Sequence, residues 1–289
     1  MNYAPVALPA DFPVRGGTVS TQGDAPITRL HVHNCLEIGY CLNGTGIFVI
    51  EDKVLPFRGG DVSVIGNREL HLAQSARGTV SEWVWIMLDP LQLAGATADD
   101  PLVLNANRLR GGRFRNLLSG PAHADTAALV RALIGELRKR EEGYRTAVRG
   151  LVLALMARLG RLPGLAAEEG EPAPRRDAME RVAPALQRMA DLYRDPLDLD
   201  ELARRCGLSS AHFRRVFRQA TGRAPMDYLH HVRLNMAGAL LQGTNRTVLD
   251  IALDTGWPTL STFHRQFRQA MGLSPKQWRN QARKALNAG

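Results

Sequence analysis

Cysteine is scarce and badly spaced for cross-linking: the 289-residue chain holds three, Cys35, Cys41 and Cys206, with no C-x-x-C arrangement. That pattern supplies no disulfide framework and suits a reducing compartment, so the three are expected to be buried free thiols. Long apolar runs are missing too. The longest uninterrupted one is Leu151 to Ala157, far short of the roughly 20 residues needed to cross a bilayer. Met1 to Phe12 has neither the basic stretch nor the apolar core of an export signal. These absences predict a cytoplasmic protein with no membrane partner. What is present is a globular composition, 45% hydrophobic and 22% charged, which excludes disordered and fibrous classes. The length exceeds what one ordinary core organises, so two domains are expected.

The net charge of +9 is unevenly placed. Residues 1–177 carry 20 Lys and Arg against 19 Asp and Glu, whereas residues 178–289 carry 17 against 9. A clustered positive surplus points to a polyanionic partner, which a diffuse one does not. Between the two parts, Pro163 to Asp177 replaces any apolar period with proline, glycine and charge, the signature of a linker. The expected division is an N-terminal domain at 1–162, a linker at 163–177 and a C-terminal domain at 178–289.

The C-terminal part repeats itself after 49 to 50 residues. Asp198 and Glu201 have capping-box spacing and open a short helix, Gly207 supplies a sharp turn, and Ser209 caps a second helix with Phe213, Val216 and Phe217 inward. Its outward positions are Ala211, His212, Arg214, Arg215 and Arg218. The same grammar returns as Thr247 to Asp250, then Gly256, Thr259, Phe263 and Phe267, and Phe-Arg-Gln-Ala-x-Gly stands at both 217–222 and 267–272. Two helices joined by a short Gly-containing turn form a helix-turn-helix, whose second helix enters a DNA major groove. One copy is equally a plain helical hairpin; two copies, each with Arg or His outward in a basic region, argue against that. Pro225 to Gly243 predicts a connecting helix, roughly 28 Å long at 1.5 Å per residue. It can hold the reading helices about one DNA turn, roughly 34 Å, apart.

Residues 180–282 resemble the DNA-binding domain of AraC/XylS-type transcription regulators. The likeness rests on the Gly256-Trp257 turn, Phe263-x-x-x-Phe267, Gly272 and the Ser274-Pro275-x-x-Trp278-Arg279 close. It implies that the first reading helix touches DNA through Ala211, Arg214 and Arg215, and the second through Ser261, Thr262, His264 and Arg265. Arg offers bidentate donors to guanine, Ser and Thr are versatile, His can donate to base or phosphate, and Ala211 offers an apolar contact at most. Arg218, Arg268 and Arg279 are read either as phosphate anchors, which set register without specifying sequence, or as solvated charges.

From Ile27 to Leu88 the chain alternates short β-rich runs with turn residues, which predicts a small β-barrel. Within it, His31-x-His33-x-x-x-Glu37 is followed by His71 at a spacing that resembles the two cupin motifs, whose equivalent residues hold a metal in cupin enzymes. An extended segment puts His31 and His33 on one side, where Glu37 and His71 can join them. Sensor domains of the AraC type resemble cupins but use the barrel for a small ligand. The reading adopted is therefore an effector pocket built from Arg29, His31, His33, Glu37, His71, Trp83 and Trp85, of the kind a sugar or small acid uses. No cofactor is expected; His31, His33, Glu37 and His71 are the candidate ligands should the barrel hold a transition metal. Trp83 and Trp85 share one face by alternation, as packing or as pocket wall.

Ala124 to Arg140 and Tyr144 to Leu162 read as two helices. The second has an apolar stripe of Val148, Leu151, Val152, Leu155, Met156 and Leu159. It serves either packing on its own barrel or subunit contact, and the resemblance implies a homodimer through such helices, together with contact to RNA polymerase.

The expected molecule has two domains, a cupin-like β-barrel followed by helices and an all-α domain with two helix-turn-helix motifs on a linker helix. It is read as a ligand-responsive activator that binds double-stranded DNA and catalyses nothing. The competing readings are a metal-dependent cupin enzyme fused to a DNA module, and an effector-independent activator with an empty barrel.

Overall fold

The structure is a computed structural model that describes residues 2–3, 6–24, 30–67, 69–165 and 173–287. Its strands are β1 (Asn2–Tyr3), β2 (Val14–Gln22), β3 (His31–Val32), β4 (Leu36–Asn43), β5 (Thr45–Ile50), β6 (Lys53–Arg58), β7 (Val62–Ile65), β8 (His71–Ser75), β9 (Ser81–Leu88) and β10 (Leu117–Leu118). Helices α1 (Pro90–Ala94), α2 (Ala124–Lys139) and α3 (Tyr144–Leu159) follow the main strands, with β10 lying between α1 and α2. The remaining helices are α4 (Ala173–Asp191), α5 (Leu199–Arg205), α6 (Ser210–Thr221), α7 (Pro225–Gly243), α8 (Val248–Asp254), α9 (Leu260–Met271) and α10 (Pro275–Asn287).

The expected barrel is not closed. Its strands fall into two five-stranded sheets, ordered β1-β3-β8-β5-β6 and β10-β7-β4-β9-β2. Apart from the parallel β1–β3 pair the ladders are antiparallel. Strict alternation sorts each strand's side chains between two cores. Phe48, Ile50, Ala73 and Trp83 fill the space between the sheets. Ile38, Val64, Val84 and Ile86 face outward from the second sheet and are covered by Val130, Leu133, Val148 and Val152 of α2 and α3. The apolar stripe of α3 is thus largely spent within its own chain, Val148, Val152, Leu155, Met156 and Leu159 all being buried.

The outer face of the first sheet is covered as well. Val32, Ile47, Val49, Val54 and Leu72 belong to one buried cluster with Met179, Val182 and Leu186 of α4 and with Leu240 and Leu241 of α7. This explains why α7 is apolar on nearly every side, with Tyr228, Leu229, Val232, Leu234, Met236, Leu240 and Leu241 all buried. A helix without a polar face is buried all round. Here the two helix-turn-helix units pack against it alongside the sheet. The contact is close: the Thr45 hydroxyl lies 3.0 Å from the Ala239 carbonyl, and Leu30 N–H donates to the Gln187 side chain.

Local signals in the C-terminal part act as their chemistry dictates. Asp198, Ser209, Thr247 and Thr259 each accept a backbone N–H at a helix start. Gly207 and Gly256 adopt φ of +66° and +80° in the two turns, a region costly for residues with a Cβ. Glu201 departs from the capping-box expectation: its carboxylate accepts from Arg205 at 2.9 Å and lies 3.3 Å from Arg188, while Asp198 alone serves the helix start. The expected linker at 163–177 falls partly on 166–172, outside the described residues, and α4 begins inside it at Ala173. The cysteines are free, with Cys35 and Cys41 buried and Cys206 half-buried.

Candidate functional site

Between the sheets, His31, His33, Glu37, His71 and Trp85 line a pocket of about 250 Å³. Each arrives for a local reason. His31 and His33 sit two residues apart at the start of the first sheet, and strand pairing sets His31 directly opposite His71. The imidazole centroids lie 4.4 Å apart for His31 and His71, 4.8 Å for His31 and His33, and 5.3 Å for His33 and His71. Glu37 comes across the interior from β4 in the second sheet. One of its oxygens stands 3.0 Å from His33 Nε2 and the other 3.6 Å from His71 Nε2. Burial by itself would raise the Glu37 carboxyl; the facing His71 and His33 outweigh this and hold it well below the usual carboxylate range.

Trp85 forms a wall because its cross-strand partner is Gly39. A Cβ on that residue would come within 2.4 Å of the indole, so only glycine lets the ring lie flat across the neighbouring strand. Trp83 is stacked on Trp85 at 4.8 Å and 9° but is fully buried among the interior core residues. Its indole N–H donates to Ser81. Trp83 supports the wall and does not line the pocket. Arg29, the other expected lining residue, lies outside the described residues. Gln22, Phe48, Ala73 and Met87 complete the lining and were missed. Ala73 and Met87 follow from His71 and Trp85 by the two-residue strand period, whereas Gln22 and Phe48 carried no local signal. A larger cleft of about 420 Å³ opens beside β4 and α1. Its Asp89 is already engaged as the cap of α1, so it lacks a converging set of titratable groups.

The second surface belongs to α6 and α9. Both helices turn aromatic residues inward, Phe213 and Phe217 on one and Phe263 and Phe267 on the other, all with no exposed area. The opposite faces present Ala211, Arg214, Arg215 and Arg218, and Ser261, His264 and Arg265, as exposed positions, with Thr262 partly exposed. Arg268 is exposed on the last turn of α9. Arg279 is engaged differently from either expected role: its guanidinium donates to the Leu241 and Arg246 carbonyls, tying α10 to the end of α7.

Residues 19–159 match the family model described as AraC-like ligand binding domain, and residues 202–281 match one described as helix-turn-helix domain. The chain is 35% identical over 85 residues to the regulatory protein SoxS of Escherichia coli K12, a match covering 29% of this chain and 79% of that protein. The chain belongs to the AraC family. This AraC-family chain is also 26% identical over 264 residues to the HTH-type transcriptional activator RhaR of Klebsiella pneumoniae, covering 88% of each. A crystal structure of an AraC-type transcriptional regulator from Chromobacterium violaceum matches 37% of the chain and 96% of its own, at 28% identity and a TM-score of 0.36. AraC-family membership makes the protein a ligand-responsive DNA-binding regulator and not an enzyme, with an N-terminal sensor unit and a C-terminal reading unit. Among the described residues no helix is long and apolar enough to cross a membrane.

Proposed function

We propose that the pocket between the sheets is the effector site, and that its occupancy reaches the DNA-reading helices through β3 and β8. One observation carries this. The same two strands turn alternate residues to opposite sides: His31, His33 and His71 face the pocket, while Val32 and Leu72, between and beside them, join the core shared with α4 and α7. A ligand that moves the imidazoles displaces the backbone to which Val32 and Leu72 are attached. Close-packed interiors transmit such shifts because they have little free volume to absorb them.

The effector is a sugar or small acid, matched to a pocket of imidazoles, one carboxylate and one indole wall. The DNA contacts are Ala211, Arg214, Arg215 and Arg218 from α6, and Ser261, Thr262, His264 and Arg265 from α9. They are supported by their exposure opposite a buried aromatic face. The protein acts in the cytoplasm as a homodimeric activator that engages RNA polymerase, supported by AraC-family membership and by the relatedness to an activator.

Thermal-shift screening of the full chain against sugars and small acids tests the pocket. A ligand at about 100 times its Kd adds roughly 2.7 kcal/mol to stability. Leu72→Val then tests the route: it retains the ligand-induced shift but loses the ligand-induced change in operator affinity. A Leu72→Val protein whose operator affinity still follows ligand as the parent's does refutes this route.

A further inference from the structure

We propose that a second cavity of the sensor unit, lined by Arg108 and Arg161, binds a small organic anion, a carboxylate or phosphate monoester on a short apolar body. The cavity lies between two short 3-10 helices, Pro101–Leu104 and Ala106–Arg108, and the C-terminal end of α3. Its volume is about 210 Å³. It shares no lining residue with the pocket between the sheets, so the two sites are separate.

The charges point to an anion. Two arginines line the cavity and no Asp or Glu does. The arginines elsewhere on α3 are engaged: Arg145 with Asp11 at 3.0 Å, Arg149 with the Leu93 carbonyl at 3.0 Å and Arg158 with Asp125 at 2.9 Å. Among the described residues, the guanidiniums of Arg108 and Arg161 have no hydrogen-bond or ion-pair partner. Arg108 is half-buried, so its charge loses part of its hydration with no counter-charge in return, and a second cation at the same cavity adds repulsion. An anion between them relieves both. The negative end of α3 favours one cation there, Arg161, and does not explain a second brought by a separate segment.

The neutral groups agree in sign. Asn105 also lines the cavity, and its side-chain oxygen accepts from Asn107 N–H at 3.1 Å. That bond fixes the amide's orientation and leaves its NH₂ as a third donor. Backbone carbonyls along the rim are already taken, Leu102 by Asn105 N–H at 3.1 Å, Asn105 by Arg108 N–H at 3.2 Å and Met156 by Gly160 N–H at 2.8 Å. The polar set is therefore made of donors alone. Guanidinium forks match the paired oxygens of carboxylate and phosphate alike.

The walls supply the rest of the specificity. Leu109 is buried beneath the cavity, while Leu102, on its lining, is 54% exposed. An apolar body that covers Leu102 removes that surface from water. At about 30 Å³ per water the volume equals roughly seven waters, room for a ligand of about seven to nine non-hydrogen atoms.

The test is calorimetric titration of the full chain in phosphate-free buffer at low salt, with isovalerate, isobutyl phosphate and uncharged isovaleramide as probes. Each titration is run on the parent and on His33→Gln, which disables the pocket between the sheets, so that the outcome is independent of the effector reading. At least one of the two anions is expected to bind His33→Gln at about one per chain, with isovaleramide roughly tenfold weaker or more. The tighter of the two anions identifies the head group. Adding Arg108→Gln or Arg161→Gln should each weaken the anion roughly tenfold or more. Arg161 is exposed, so its substitution leaves the fold intact, which an unchanged melting midpoint without ligand verifies. The proposal is overturned if neither anion binds His33→Gln up to about 10 mM, if isovaleramide binds as well as the anions, or if binding is indifferent to both arginine substitutions.

Discussion

The contact between the first sheet and α7 can be tested at Gly243, where helix propensity and packing make opposite predictions. Alanine is the better helix former by about 1 kcal/mol, so on local grounds Gly243→Ala stabilises the protein. In the structure, the added methyl would lie 2.6 Å from Thr45 Cβ, 2.7 Å from Cγ2 and 2.9 Å from Oγ1. Carbon atoms rest about 3.5–4.0 Å apart, so sheet and helix must separate by roughly 1 Å. Overpacking of this kind costs about 1–3 kcal/mol; the Thr45 hydroxyl, drawn from the Ala239 carbonyl, keeps the Phe57 carbonyl of its own sheet, 2.9 Å away, as acceptor. Packing offsets or outweighs propensity, and the docked arrangement loses up to about 2 kcal/mol net, or up to roughly 30-fold in population. Hydrogen exchange of peptides covering β5 and α7 in the full chain reads this directly, as faster exchange by that factor. Gly150→Ala is the control: it lies exposed within α3, and a Cβ there meets nothing within 4 Å, so only the propensity gain should appear. If Gly243→Ala protects β5 and α7 as Gly150→Ala protects its own helix, the close contact between the domains is refuted.

Further predictions concern the reading helices and the sheet domain. Arg265→Ala should cost roughly 1–3 kcal/mol on the cognate site and relax base preference, with Arg268→Ala weakening specific and random DNA alike, by gel-shift titration on both; equal losses for Arg265→Ala on the two DNAs would count against base readout. Phe267→Ala removes a fully buried ring packed 5.4 Å from Phe263 and 5.9 Å from Trp278. It should lower stability by about 3–5 kcal/mol in denaturant titration. Asp61 is pushed up to about 6 by burial, against hydrogen bonding and the charges of Arg58 and Arg115. A carboxyl with a raised folded pKa binds its proton more tightly when folded, so its contribution is complete below the unfolded value and lost as pH climbs through about 4 to 6. Asp61→Asn should flatten that fall, by up to about 3 kcal/mol in denaturant midpoints compared at pH 4 and pH 7.

Much of the reading unit was legible because its instructions are local. Ser209, Thr259 and Thr247 cap helices through N–H groups within three residues, and the apolar period of α6 and α9 lies within each helix. The repeat of Phe-Arg-Gln-Ala-x-Gly made two ambiguous hairpins into one unambiguous pair. The pocket was legible in part for the same reason: alternation alone puts His31 beside His33 and Trp83 beside Trp85. Arg279 was not legible, because its carbonyl partners lie 38 and 33 residues away and no local pattern encodes such a separation.

The amino-acid order determined which segments form helices and strands, where the reading helices start and turn, and which residues they expose, since each depends on chemistry within a turn or two. Tertiary structure decided that the strands form two open sheets, that His71 pairs with His31 while Glu37 crosses from the opposite sheet, and that α7 lies under the sheet that carries the pocket. Those outcomes depend on strand register and on which apolar faces meet. Many distant segments offer equivalent apolar faces, and only simultaneous close packing of all of them distinguishes one pairing from another.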